Sequence, residues 1–327
     1  MKHHPLLFLF TLLSSLTFAH PGIGIVKNSK GFIYYTDLKN VYKVDPQTMK
    51  KSIVVSNVHT HELFMDSNDN LFGEHLWYNG EKLDTWGHYV WRLNRDEILD
   101  TIIQPTQGFL DNYSFCRDDA GNMYWVQRFT ISRFKKKAVD GTITTIAEGK
   151  FKDIRWIHAA SNGDIYFIDL TDLYKIENGK FKLLAKNLQE RTSIFEYGSL
   201  KHNIFGIWLD KDENIYIAVT GGQIVKKITQ EGSVSDIAYS SGGWRPTGGL
   251  FDNKGNLWLL ETKSGPAIKA RVRMIEKTTL SKKPSSATYM INKARPVLVL
   301  SIIALLLLAA VYKLIKKLRR RKMPAFT

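Results

Sequence analysis

The 327 residues carry 46 lysines and arginines against 31 aspartates and glutamates, a formal net charge of +15, with a single cysteine. A lone cysteine excludes an internal disulfide framework, and a chain of this length can bury a sufficient core without one. All but one of the acids lie before Lys263, where they cancel the basic residues; the excess charge sits at the C-terminal end, which excludes a nucleic-acid groove on the main body.

In chain order, Lys2, His3 and His4 precede a 13-residue apolar run at 6–18, and Ala19 closes a small-residue cleavage site. That order predicts an export signal over 1–19, with the mature chain starting at His20; the run is short for a membrane span, and an uncleaved anchor is the alternative.

From residue 20 a self-similar unit recurs six times: an apolar strand, a polar turn ending in Gly-Asn or its equivalent, and a second strand bearing an aromatic residue. It reads NSKGFIYYTD (28–37), DSNDNLFGEH (66–75), DDAGNMYWVQ (118–127), ASNGDIYFID (160–169), DKDENIYIAV (210–219) and DNKGNLWLLE (252–261). The turn positions Gly31, Asp69, Gly121, Gly163, Glu213 and Gly255 are spaced by 38, 52, 42, 50 and 42 residues. Strand-built repeats of that length predict propeller blades of four strands each. Further strands are visible at 40–44, before the Asp45-Pro46 turn, at 89–93 and at 173–176. The chain is therefore predicted to be all-β, a six-bladed propeller over 20–280. The fourth strand of the last blade comes either from the N-terminal segment or from 287–292. Cys116, in the apolar stretch 113–116, reads as a buried, inert thiol.

A basic linker follows at 281–295, and then 17 uncharged residues at 296–312. They predict one transmembrane helix over 296–315; a buried core helix, the alternative, would carry a polar face. Seven basic residues among the ten from Lys313 to Lys322 place that side in the cytoplasm and the propeller outside it. The tail at 316–327 suits anionic lipid headgroups. A bacterial periplasmic or cell-surface protein fits these features.

A strand ending in Asp, a Gly-Asn turn, and a Tyr/Trp strand ending in an acidic residue resemble the NHL-type and gluconolactonase-like (senescence-marker-like) propellers. The resemblance covers nearly all of 20–280 and implies the fold, which hosts lactonases, lyases and binding modules alike. It also implies a top face that collects the starts of innermost strands and the ends of second strands. Strand starts there bring His20, His59, His61, Glu62, Arg155, Trp156, His158 and Arg245. Second-strand ends bring Asp37, Glu74, His75, Asp169 and Glu261.

His20, His59, His61, His75 and His158 are candidate ligands for one divalent metal ion, zinc or calcium. Glu62, Glu74 and Asp169 are candidate bases. Arg155 and Arg245 could clamp a carboxylate or phosphate, Trp156 could stack on a ring or plug the channel, and Glu261 is a further ligand-binding candidate. Asp37, Asp169 and Glu261 read equally as hairpin-closing carboxylates. Asp66-x-Asn68-x-Asn70 and Asp210-x-Asp212-x-Asn214 mimic a calcium loop but lack its Gly and terminal Glu. Gly242-Gly243 and Gly248-Gly249 read as backbone room near the axis.

Two functions follow. One is a membrane-anchored module binding a small molecule or an envelope protein on that face. The alternative is a metal-dependent gluconolactonase-like hydrolase or a histidine-metal lyase, although the first blade opens with His20-Pro21-Gly22 where gluconolactonase-like enzymes carry a Glu-containing motif. A sensor passing a signal inward is a third.

Overall fold

The computed structural model describes residues 22–79, 82, 86–107, 115–128, 130–189, 203–263, 269–281 and 312. Blade 1 is β1 (Ile25–Lys27), β2 (Ile33–Thr36), β3 (Asn40–Val44) and β4 (Lys51–Ser56). Blade 2 is β5 (Leu63–Met65), β6 (Leu71–Tyr78), β7 (Trp86–Leu93) and β8 (Leu99–Gln107). Blade 3 is β9 (Phe115–Arg117), β10 (Met123–Gln127), β11 (Ser132–Lys137) and β12 (Ile143–Gly149). Blade 4 is β13 (Ile154–Ala159), β14 (Ile165–Asp169), β15 (Asp172–Glu177) and β16 (Lys180–Ala185). Blade 5 is β17 (Ile204–Leu209), β18 (Ile215–Val219), β19 (Ile224–Ile228) and β20 (Val234–Tyr239). Blade 6 has three strands among the described residues, β21 (Arg245–Phe251), β22 (Leu257–Lys263) and β23 (Lys269–Ile275).

Every blade is an antiparallel meander whose strands pair in chain order. Both places considered for a last outer strand, the N-terminal segment and 287–292, lie outside the described residues, as do the predicted signal at 1–19 and all of the predicted membrane helix and tail except Tyr312. Among the described residues no helix is long and apolar enough to cross a membrane.

The first hairpin of each blade explains the repeat. Gly31, Asp69, Gly121, Gly163, Glu213 and Gly255, the six aligned turn positions, all have positive φ, from +59° to +88°. Glycine adopts that region without penalty, and Asp tolerates it better than most residues. In blades 2, 3, 5 and 6 an aspartate three residues earlier locks the turn, with Asn28 in that place in blade 1 and Ala160 in blade 4. Asp118 accepts the Asn122 N–H at 2.9 Å, the Asn122 side-chain amide at 2.7 Å and the Tyr124 hydroxyl at 2.8 Å. Asp210 holds Asn214 and Tyr216 in the same way, and Asp252 holds Asn256 and the Trp258 indole. Burial opposes ionisation of Asp118, but the Asn122 and Tyr124 donors outweigh it and hold the carboxyl below its usual range. The calcium-like runs at Asp66 and Asp210 are therefore hairpin clamps; Asp66 accepts the N–H groups of Asn68 and Asn70.

Second strands are sandwiched between neighbouring blades, so β14 and β18 are buried at every position. They read as continuous apolar runs for that reason rather than as an alternation. Outer strands such as β4 and β12 are mostly exposed.

The ring is tied by one side chain and by backbone. Lys27 Nζ donates to the Phe251 carbonyl at 3.0 Å and to Asn253 Oδ1 at 2.7 Å, tying blade 1 to blade 6. Ile23 and Gly24 both donate to the His61 carbonyl, at 2.9 and 2.7 Å, tying blade 1 to blade 2. A Cβ on Gly248 would overlap the Ile23 carbonyl, and one on Gly206 the Thr247 carbonyl. Gly248 thus supplies the backbone room expected of it, whereas Gly242 and Gly243 serve a turn through φ values of +65° and +81°. Replacing Gly248 by Ala is expected to cost about 1–3 kcal/mol, because neither partner in that contact is a movable side chain. Gly31→Ala, which meets nothing within 4 Å, should cost about 1 kcal/mol from its φ alone. Urea unfolding followed by tryptophan fluorescence checks the ranking; equal costs would remove the close approach as a determinant of the ring.

Candidate functional site

The innermost strands enclose an axial cavity of about 500 Å³. Its deep wall carries Glu62, Cys116, His158 and Trp208; Arg117 and Lys27 lie nearer the mouth, which Asp119, Lys211 and Glu213 of the first hairpins surround. The cavity thus opens on the hairpin side, where innermost strands end. The sequence analysis selected the opposite end. There the interior is filled: Trp156 is 1% exposed and packs on Phe205 with ring centroids 5.2 Å apart, in one apolar cluster with Ile23 and Trp125.

Blade 2 assembles the histidines. β6 and β7 run past β5 and pair along their full length, so Glu74 and His75 lie in mid-strand rather than at a strand end. Glu74 is fully buried, and its Oε1 accepts the N–H of His61 and, at 3.3 Å, that of Glu62. The His61 ring approaches the same carboxylate at 3.6 Å. The His59 N–H donates to Nδ1 of His75 at 3.0 Å, the His59 and His61 rings lie 4.8 Å apart, and His75 stacks on Tyr89 at 5.0 Å. Thr60 bonds the Glu74 carbonyl, and the Trp91 indole reaches both at 3.2 Å.

Burial governs the charges. It pushes His59 down to about 4, aided by His61 and His75, and lowers His75 against the pull of Glu74. It also brings His158 down to about 4. Burial, followed by the neighbouring Glu74, pushes the Glu62 carboxyl well up. The Cys116 thiol is raised by burial and then by Glu62. Arg117 is lowered to about 10 by burial, partly offset by Glu74, and stays charged at neutral pH.

Of the candidate residues, Glu62 and His158 line the cavity, whereas His59, His61, Glu74 and His75 gather beside it in blade 2. Glu62 links the two groups. Asp169 accepts the N–H groups of Lys152 and Asp153 at 2.9 and 2.7 Å. Glu261, fully buried, is held by Ser240 at 2.7 Å, Arg271 at 2.7 Å and Arg273 at 2.9 Å. Asp37 accepts from Lys39, Asn40 and the Tyr42 hydroxyl. Arg155 lies in β13 at a bulge between Ile154 and Trp156, and Arg245 starts β21 opposite Thr262. His20 lies outside the described residues.

A metal ion fits this donor set poorly. Among the described residues no three histidine, cysteine, aspartate or glutamate side chains converge on a point that could hold one. Nδ1 of His75 and Oε1 of Glu74 are occupied by backbone N–H groups, and His158 stands in a different blade from the other histidines.

The sequence analysis missed Arg117, Cys116 and Trp208 as cavity residues. A signal existed for the first. The residue just before each first-hairpin turn is Met65, Ala159, Leu209 and Phe251 in four blades, but Lys27 and Arg117 in the other two. Both cations line the cavity.

The fold is that of six-bladed gluconolactonase-type propellers. An auxiliary nutrient binding protein from Bacteroides thetaiotaomicron is similar with a TM-score of 0.55 at 10% identity, covering 78% of this chain and 69% of that one. A gluconolactonase from Xanthomonas campestris gives 0.52 at 9% identity, covering 78% and 88%. The calcium-binding protein regucalcin from Agrobacterium tumefaciens gives 0.51 at 14% identity, covering 74% and 81%. No protein-family model and no curated protein sequence matches the chain.

The buried histidines predict acid lability. His59, His88 and His158 titrate near 6.5 when unfolded and about 4 when folded. Between those values the unfolded chain holds more protons, so stability is full above pH 6.5 and falls as pH drops toward 4. Glu62, shifted upward, acts in the opposite sense, but with one proton against three. The urea midpoint should therefore decline steadily as pH falls below 6.5; a midpoint unchanged down to pH 5 would contradict buried neutral histidines.

Proposed function

We propose that the chain is a membrane-tethered, extracytoplasmic propeller that binds a small molecule in its axial cavity. The observation that carries this reading is the cavity itself: about 500 Å³, lined by polar and apolar groups in comparable measure, with Glu62, Arg117 and Trp208 of its wall each holding a buried atom that lacks a hydrogen-bond partner. Its volume is that of small-ligand sites. Buried polar atoms ordinarily find partners, and a ligand that supplies them recovers the desolvation cost. The similar structures bear on the fold, which carries both binding and catalysis, so the choice rests on the cavity.

The tether rests on the sequence at 296–315 and the basic residues after it. The protein is expected to stay in the membrane fraction through an alkaline wash, and a chain ended before residue 296 to be released into the soluble extracytoplasmic fraction. Recovery of the shortened chain in the cytoplasm would refute the proposed orientation.

Thermal unfolding of the detergent-solubilised protein against a panel of small metabolites, with and without EDTA, tests the binding reading. A ligand at about 100 times its Kd adds about 2.7 kcal/mol of stability. Stabilisation by an organic compound that survives EDTA is expected. Stabilisation only by zinc or calcium would favour the metal-dependent hydrolase or lyase, with a ligand such as His20 completing the set.

A further inference from the structure

We infer that the axial cavity selects a small organic carboxylate, with Arg117 as its anchor; this rests on the small-molecule reading above. Arg117 closes β9, and its guanidinium lies over the Phe72 ring, 5.2 Å from the centroid. Its Nη2 is buried and has no hydrogen-bond partner. Among the described residues Glu74 is the carboxylate whose charge acts on it; Glu74 Oε1 accepts the N–H groups of His61 and Glu62, its Oε2 is buried without a partner, and no direct hydrogen bond joins it to Arg117. The adjacent Asp118 is taken up by Asn122 and Tyr124.

A half-buried guanidinium with no direct ion pair is costly, and a fold that keeps one beside a cavity offers a site for an oxyanion. The planar fork matches a carboxylate with two parallel hydrogen bonds. Two further polar groups belong to residues of the cavity wall: the Trp208 indole N–H and Oε1 of Glu62, whose carboxyl burial favours in the protonated form, are both buried without a hydrogen-bond partner. A second charge is not prepared: Lys27 at the mouth is engaged by Phe251 and Asn253. One free cation with two neutral polar groups suits a monoanion better than a phosphate dianion.

The acids near the mouth do not compete. Asp210 is bound within its hairpin, Glu213 accepts from Asn162 at 3.1 Å, and Asp119 faces solvent. Apolar wall from Phe64, Ile157, Ile207 and Leu250 is left for a carbon skeleton.

The test uses the full chain in detergent. Phenylacetate and hexanoate are titrated against phenylacetamide and hexanamide, with phenyl phosphate as a third arm, reading both thermal shift and calorimetric affinity. The acids are expected to bind at least about tenfold tighter than their amides. Arg117→Met keeps the stem and removes the charge. It should abolish the acid preference while leaving the ligand-free protein as stable as before or more so, since a half-buried charge with no direct ion pair is gone. Lys182→Ala, on the exposed outer strand β16 away from the cavity, should change neither.

Acids and amides binding alike, with Arg117→Met silent, would overturn the carboxylate inference and leave small-molecule binding standing. Phenyl phosphate binding tightest would replace the carboxylate by a phosphate ester. Failure of every probe, charged or neutral, to bind wild-type protein would remove the cavity as a binding site and both readings with it.

Discussion

Where blades 5, 6, 1 and 2 meet at the axis, backbone touches backbone. Gly206 lies against Thr247, Gly248 against Ile23, and Gly24 against Glu62 and Leu63, with no space for a Cβ between them. Six radial sheets leave a hole whose width depends on how closely the innermost strands approach one another. Glycine at these points draws the strands in until Ile23 and Gly24 hydrogen-bond to the His61 carbonyl. What remains in the middle is then a closed-sided cavity of ligand size, and its inner end is filled by Trp156, Phe205 and Trp125. The position of the candidate site follows from that packing.

The same packing separates two kinds of polar residue. Asp118, Asp210 and Asp252 lock hairpins, Asp37 and Asp169 hold loops, and Glu261 pairs with two arginines. All have their acceptor capacity used within the fold, which is where a buried carboxylate contributes most to stability. Glu62 and Arg117, residues of the cavity wall, differ, because each retains a buried atom without a partner, as Glu74 does beside them. Folding alone does not explain their retention, and such unsatisfied groups concentrate where a protein acts on something else.

The fold was legible because each blade repeats a local solution. A turn residue at positive φ, an aspartate or asparagine three places before it in all blades but the fourth, and an aromatic three places after leave a mark in sequence at a spacing of about 40–50 residues. The strands at 40–44, 89–93 and 173–176 and the innocence of the calcium-like loops could be read in the same way. The site was legible only in part. Glu62 and His158 were found because titratable residues near strand starts stand out. Arg117 was passed over because a single arginine before an aspartate looks like a surface ion pair, and only alignment across blades shows that apolar residues usually stand there. Which end of the axis is open could not be read, since it depends on Trp156 and Phe205 meeting from different blades. Glu74 and His75 were placed at a strand end because the extension of β6 to Tyr78 continues beyond the repeat unit.

The account turns on an open axial cavity with the charged Arg117 in its wall. A crystal structure of the extracytoplasmic portion, soaked in bromide and measured at the bromine absorption edge, tests this most directly. The account predicts six radial sheets and an anomalous peak in the axial cavity beside Arg117. An axis filled by side chains, with Arg117 turned to pair with a carboxylate of its own chain, would contradict it.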